Sequence, residues 1–353
     1  THETIQRIHD ATDIVDVVSD FVSLKKRGTN YTGLCPFHNE KTPSFSVSPA
    51  KGIFKCFGCG KGGNAMNFIM ELEGLSYVEA LKWMADKYNI EIEEEEETEE
   101  QRAERDARES MFVVSEHAAT QFAHWLYHSP EGKSVGLGYL YKRGFRDDII
   151  NKFHLGYSPD QKRAFTDHAL GKGYKQKYLE STGLTINKND YLFDRFRGRV
   201  MFPIKSLSGK TIGFGGRILK NDDKTAKYLN SPESEIYNKS RVLYGIYQAK
   251  KAITKDGKCF LVEGYTDVLA FHQAGIENVV ASSGTSLTEQ QIRLIKRFTE
   301  NITLVFDGDE AGVRASVRGI NMILKEGMRV KTILLPDGEV LDSFAKARNS
   351  SQL

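Results

Sequence analysis

Cysteine is scarce in this chain: there are four in 353 residues, and three of them share one short window with a histidine. That is too few for a disulfide scaffold, which excludes the small secreted, disulfide-stapled classes. Long apolar runs are also missing. No segment approaches 18 consecutive apolar residues, so no membrane span is expected. The opening residues Thr1-His2-Glu3-Thr4-Ile5 lack the basic start and apolar stretch of a secretory signal, and a reduced, cytoplasmic setting is expected. Nor is there much net charge, only +2. The length suggests two or three domains with real hydrophobic cores.

The small net charge hides a strong asymmetry. Between Glu91 and Ser110 stand eleven acidic and three basic residues, leaving 46 basic against 36 acidic side chains elsewhere, a balance of +10. The acidic block cannot bury a core and reads as a solvated linker or exposed helix over 91–110. The masked basic excess favours a polyanionic partner. On either side of the block, organisation differs. Residues 1–90 read as a compact unit: Ile5, Ile8, Ile14, Val17, Val18 and Phe21 fit an amphipathic helix and its extension, with further helices over 65–72 and 77–88. Residues 111–242 read as mixed α+β, with helical periodicity over 111–127 and strands over 200–204 and 211–215 around a Ser208-Gly209 turn. From 243 onward strands at 259–263, 278–282, 302–307 and 331–335 alternate with helices at 266–274, 288–299 and 311–326. That alternation predicts right-handed crossovers and a parallel α/β sheet.

Two of those strands end in acid. Cys259-Phe-Leu-Val-Glu263-Gly-Tyr-Thr-Asp267 and Ile302-Thr-Leu-Val-Phe-Asp307-Gly-Asp309 each run apolar and then stop at carboxylates and glycine. Parallel strands are buried on both faces, and ligands sit at their carboxyl ends. Clustered carboxylates raise one another's pKa unless a cation joins them, and hard oxygen donors suit magnesium or manganese. A helix-capping role accounts for Asp309 but not for Glu263 and Asp307 ending buried strands.

Cys35-Pro-Phe-His38 and Cys56-Phe-Gly-Cys59 supply two ligand pairs, the number and type a closed tetrahedral zinc site uses. Four protein ligands leave no open position, so one structural zinc ion is expected. The residues between the pairs, 42–49 and 51–55, read as short strands of a zinc ribbon. Phe45, Phe54 and Phe57 are core candidates, although with Lys51, Lys55 and Lys61 they would also suit stacking on single-stranded DNA. In the middle of the chain, 191–217 holds six basic residues and one acid. Arg195, Arg197 and Arg199 alternate, so on a strand they would share one face and call for anions, unless that strand is simply a solvated edge. Arg143, Arg217, Lys227, Asn230 and Lys239 are ambiguous on their own.

Taken in order, these motifs resemble bacterial DnaG-type primase over almost the whole chain. The resemblance implies an α/β and α+β multidomain protein: zinc ribbon, basic subdomain, then a Toprim-like catalytic sheet over 243–353. It implies a template-dependent RNA polymerase making RNA primers from ribonucleoside triphosphates on single-stranded DNA in the bacterial cytoplasm at the nucleoid. Glu263, Asp307 and Asp309 would hold catalytic magnesium or manganese, with Asp267 assisting. Arg143, Arg195, Arg197, Arg199, Arg217, Lys227, Asn230 and Lys239 would contact nucleotide, primer or template, with Lys55 contributing from the zinc domain, which would help select the start site. The family's Asp-Pro-Asp is Val340-Leu341-Asp342 here, so Asp342 alone remains at the accessory metal position. The family also continues into a helicase-binding domain, so docking to a replicative helicase is expected to need residues beyond Leu353. Zinc and Toprim modules also occur together in a non-catalytic DNA-binding protein of recombination repair, against which the long basic region and the acidic trio argue.

Overall fold

The computed structural model describes residues 2–92, 98–220, 226–282, 284, 286–306 and 310–334. They fall into two compact units, Thr1–Arg102 and Ala103–Leu353. No helix among the described residues is long and apolar enough to cross a membrane.

The first unit opens with α1 (His2–Ala11) and α2 (Ile14–Ser19) rather than one extended helix. The break is local chemistry: the Asp13 carboxylate accepts the N–H groups of Val15 and Asp16 and so starts a new helix. There follow β1 (Lys25–Arg27), β2 (Asn30–Gly33), β3 (Phe45–Ser48), β4 (Ile53–Cys56) and β5 (Gly62–Gly63), paired in sequence order as an antiparallel sheet. Then come α3 (Ala65–Glu73) and α4 (Tyr77–Lys87), each opened by a reciprocal capping box at Asn64 and Ser76. Strands β3 and β4 alternate. Phe45, Val47, Phe54 and Cys56 turn inward onto Phe68 and Ile69 of α3, with Phe45 and Phe54 stacked at 5.2 Å. Ile53, Lys55 and Phe57 face out.

The second unit holds most of α5 (Glu99–His128), and the acidic residues 99–110, read as a solvated linker or an exposed helix, form the exposed first turns of that helix. Met111, Val114, Ala118, Phe122 and Leu126 supply its buried stripe, and that packed half anchors the acidic half. Residues 132–137 form a π-helical turn before α6 (Gly138–Lys142) and α7 (Asp147–Lys152). The chain continues through β6 (Gly156–Ser158), α8 (Ala164–Gly171), α9 (Gln176–Ser181), the hairpin β7 (Thr185–Lys188) and β8 (Tyr191–Asp194), then β9 (Arg199–Lys205), β10 (Thr211–Ile218) and β11 (Tyr228–Asn230). One antiparallel sheet has the order β11-β10-β9-β6.

The remaining elements are α10 (Ile246–Asp256), β12 (Cys259–Val262), α11 (Tyr265–Gln273), β13 (Val279–Ala281), α12 (Glu289–Lys296), β14 (Asn301–Phe306), α13 (Glu310–Lys325) and β15 (Arg329–Leu334). Their strands pair in parallel in the order β13-β12-β14-β15. The expected α/β alternation is therefore present, with helices on both faces of a sheet whose β12 and β13 are wholly buried.

One polar residue sits badly in this core. His272 of α11 is 4 % exposed, packs edge-on against Phe153 at 4.8 Å, and neither ring nitrogen has a hydrogen-bond partner among the described residues. Burial, helped by the nearby Lys152 charge, lowers its pKa to about 3. A pKa depressed on folding means full stability above the unfolded value near 6.5, lost as pH falls from there toward 3. His272→Leu removes this acid penalty. Between pH 7 and pH 5 the native chain should lose about 2 kcal/mol more stability than the variant in chemical denaturation. Identical pH dependence in the two proteins would contradict the assignment.

Candidate functional site

Two groups of functional side chains emerge, one in each unit. In the first, Cys35 follows β2, His38 follows three residues later, Cys56 ends β4 and Cys59 lies in the turn before β5. Their ligand atoms all lie within 4.8 Å of one another. The Cys35 and Cys59 sulfurs are 3.8 Å apart, and the Cys56 sulfur lies 3.9 Å from His38 Nδ1. A tetrahedron with bonds of ~2.3 Å to sulfur has edges of roughly 3.8 Å, so the donor set fits one zinc ion with no position left open. Backbone N–H groups of Phe37 and Cys59 donate to the sulfurs of Cys35 and Cys56 at 3.4 Å each. Burial pushes the Cys35 thiol up to about 12. At Cys56 burial is outweighed by hydrogen bonds, chiefly from Ser44 and from backbone N–H groups, and the thiol falls to about 6.

Sequence reasoning passed over Glu40 and Ser44. One Glu40 oxygen accepts the N–H of Cys35 at 2.7 Å and that of Ser44 at 3.0 Å; the other lies 3.3 Å from His38 Nε2 and accepts from the Ser44 hydroxyl. Those hydrogen bonds, Ser44's first, hold the Glu40 carboxyl below its ordinary range. A side chain on Gly58 would place Cβ 2.7 Å from His38 Nε2 and 2.8 Å from Ser44 Oγ, so only glycine fits. The available signal was an acid two residues beyond a ligand.

Outside the metal cluster, Phe45 and Phe54 are core, whereas Phe57 is 78 % exposed. Lys61 pairs with Glu71 and lies over the Phe37 ring at 4.8 Å, and Lys55 donates to the carbonyl of Gly60 at 2.6 Å.

In the second unit the chain crosses from β12 to β13 on one side and from β14 to β15 on the other. The connections diverge between β12 and β14, which opens a crevice beyond their carboxyl ends. Glu263 stands there, exposed, directly after β12. Asp267 accepts the N–H of Gly264 at 2.9 Å and so caps α11. Asp307, Asp309 and Asp342, with Val340 and Leu341, lie outside the described residues.

Beside the Glu263 loop stands an arginine–tyrosine cluster. The Arg217 guanidinium lies over Tyr139 at 4.3 Å and near Tyr228 at 5.8 Å. Arg143 lies over Tyr139 at 6.0 Å and reaches its hydroxyl at 3.4 Å. The Arg217 Nε–H is buried with no partner among the described residues, the condition in which a bound anion is favoured. Burial raises the Tyr228 pKa against the opposing Arg217 charge and a hydrogen bond from Thr266, a residue of the Glu263–Asp267 turn. Tyr265, from the same turn, donates to Asn230 Oδ1 at 2.8 Å, with its ring stacked on Phe202 at 5.0 Å. Gly215 makes room for that ring, since a Cβ there would fall 2.3 Å from Tyr265 Cζ.

The arginine row is corrected. Residues 195–198 form a turn, and β9 starts only at Arg199. Arg195 donates to the carbonyl of Asn230 at 3.3 Å, and Arg197 pairs with Asp160 at 3.1 Å. Arg199 is 4 % exposed and donates to the carbonyls of Gly216, Ala226 and Lys227. That binding sets it apart from an outward phosphate contact: it ties the β10–β11 segment to β9. Lys227 is exposed at the start of β11. Lys239 opens a short turn, and its carbonyl accepts from the Gln291 side chain of α12 at 3.0 Å.

Comparison with known proteins agrees with this geometry. The CHC2 zinc finger model matches residues 1–100, the N-terminal domain of the DNA primase catalytic core matches 122–250, and a Toprim-like domain matches 260–345. The DNA primase of Halalkalibacterium halodurans is 45% identical over 97% of this chain and 57% of its own length. The chain thus spans little more than half the length of the curated relatives it matches. A crystal structure of the Aquifex aeolicus primase, comprising zinc-binding and RNA polymerase domains, is 37% identical and aligns over 99% of this chain and 83% of that one, with a TM-score of 0.64. A DnaG primase catalytic domain bound to single-stranded DNA is 35% identical over 70% of this chain and 80% of that chain, with a TM-score of 0.64. With zinc ribbon, basic core and Toprim sheet all matched in order, this chain belongs to the bacterial DnaG-type primase family.

Proposed function

We propose that this chain is the zinc-binding and polymerising part of a DNA primase: it joins ribonucleoside triphosphates into short RNA primers on a single-stranded DNA template. The observation that carries the reading is the junction in the second unit. Glu263 stands at the diverging crevice between β12 and β14, and the Tyr265 hydroxyl just after it donates to Asn230 of β11. An anionic metal-binding end and a cationic, anion-receiving cluster are thereby held as one piece. A relative in this family has been solved with single-stranded DNA bound, which supports the template assignment.

In this reading Glu263, with Asp307 directly following β14 in sequence and Asp309 beyond it, holds magnesium or manganese. Bound there, the metal supplies positive charge for an attacking 3′-hydroxyl and a leaving pyrophosphate. Asp267 fixes the turn that presents Glu263. Arg217, gripped by two tyrosine rings, offers its unpartnered Nε–H to a phosphate oxygen, with Arg143 beside it. Arg195, Arg197, Lys227 and Lys239 contribute positive potential along the primer and template path. Arg199 acts only through the loop it braces. Asp342 serves as an accessory metal ligand. The zinc unit contributes an outward face of Ile53, Lys55 and Phe57 on which a template base stacks.

Incubation with single-stranded templates, magnesium and labelled ribonucleotides should yield short RNAs. They should vanish in Asp307→Ala, and Arg217→Ala should raise the nucleotide KM at least tenfold, the loss of one charge-assisted contact at about 1.4 kcal/mol or more. No RNA on templates covering every trinucleotide would overturn the reading. Phe57→Ala should weaken binding of a labelled oligonucleotide by about 5- to 150-fold, equivalent to ~1–3 kcal/mol of stacking, with circular dichroism unchanged because the ring is already exposed. Unaltered affinity would remove Phe57 from the template face.

A further inference from the structure

We propose that Glu40 is the outer carboxylate of the zinc centre, selecting the His38 tautomer that binds through Nδ1 and tying three of the four ligands into one unit. A neutral imidazole carries a single ring proton. A carboxylate oxygen 3.3 Å from Nε2 favours that proton on Nε2, toward Glu40, leaving the Nδ1 lone pair toward Cys56 Sγ, 3.9 Å away. The same carboxylate holds Cys35 through its backbone N–H at 2.7 Å. It reaches Cys56 through Ser44, whose hydroxyl contacts Glu40 on one side and lies 3.3 Å from the Cys56 sulfur on the other.

Two further facts support a built arrangement. The Glu40 side chain is 9% exposed, so its contacts are not those of a mobile surface acid. Gly58 leaves the space in which imidazole, carboxylate and hydroxyl meet, since any Cβ there would fall within 3 Å of both His38 Nε2 and Ser44 Oγ. A competing reading gives Glu40 only the task of closing the 35–44 loop through its two backbone N–H contacts.

Glu40→Gln separates the two. The glutamine carbonyl oxygen still accepts from Cys35 and Ser44, but its NH2 group now faces His38 Nε2 and favours the tautomer whose Nδ1 carries the proton. Zinc affinity of the whole chain, measured by competition with a chromophoric chelator, should fall about 10- to 100-fold in Glu40→Gln, and at least as far in Glu40→Ala. Glu40→Gln binding zinc as tightly as the native chain, whatever Glu40→Ala does, would overturn the proposal. The native protein supplies a test independent of any variant. Ring 15N shifts of His38 in the zinc-loaded chain should show a protonated Nε2 and a metal-bound Nδ1, and the opposite pattern would overturn it equally. Both readouts follow zinc rather than RNA, so the inference stands or falls apart from the primer-synthesis reading.

Discussion

A parallel strand buried on both faces has no room for charge except at its ends, and the chemistry of the second unit follows from that constraint. Strands β12 and β13 are apolar and buried throughout, so the first charged residue after β12 is also the first that can reach solvent. The strand order β13-β12-β14-β15 sends the connections after β12 and β14 in opposite directions. Glu263 therefore borders a crevice rather than a covered surface. The antiparallel sheet β11-β10-β9-β6 then supplies the opposite charge. Its edge strand β11 carries Tyr228 and Asn230, and Asn230 accepts the hydroxyl of Tyr265, two residues after Glu263.

The zinc unit solves a different problem. Its strands are short, and its core is a cluster of phenylalanines, Phe45, Phe54 and Phe68, with Phe37 half-buried against them. A unit of this size gains from a cross-link in addition to its small apolar core. The Cys35, His38, Cys56 and Cys59 cluster supplies it, clamping the end of β4 to the loop before β3. Glu40 and Ser44 show that the clamp extends beyond its ligands.

Much of this was legible in the sequence where one signal dominates. The apolar runs ending at Glu263 and Asp307 marked β12 and β14 within a residue or so, and paired ligand spacing marked the zinc cluster. Legibility failed where a local contact overrode a pattern. Isoleucine periodicity ran through Thr12-Asp13, but the Asp13 carboxylate began a second helix. Alternating arginines suggested a strand face, yet residues 195–198 turn, with Gly198 at φ +66°, and Arg199 points inward to carbonyls. The acidic block left a solvated linker and an exposed helix both open because its own residues bury nothing; the helix that includes 99–110 is held by Met111 to Leu126. The Tyr139–Arg217–Tyr228 cluster brings together residues far apart in the chain, which no spacing rule reveals.

In the proposed function the strand ends at β12 and β14 form one divalent-cation site. It is tested most directly by titrating manganese into the whole chain and following the free-ion signal by electron paramagnetic resonance. Saturable binding is expected in the native protein, and it should be lost in Glu263→Gln and in Asp307→Asn alike, with circular dichroism unchanged. Binding that survives both substitutions undiminished would contradict it.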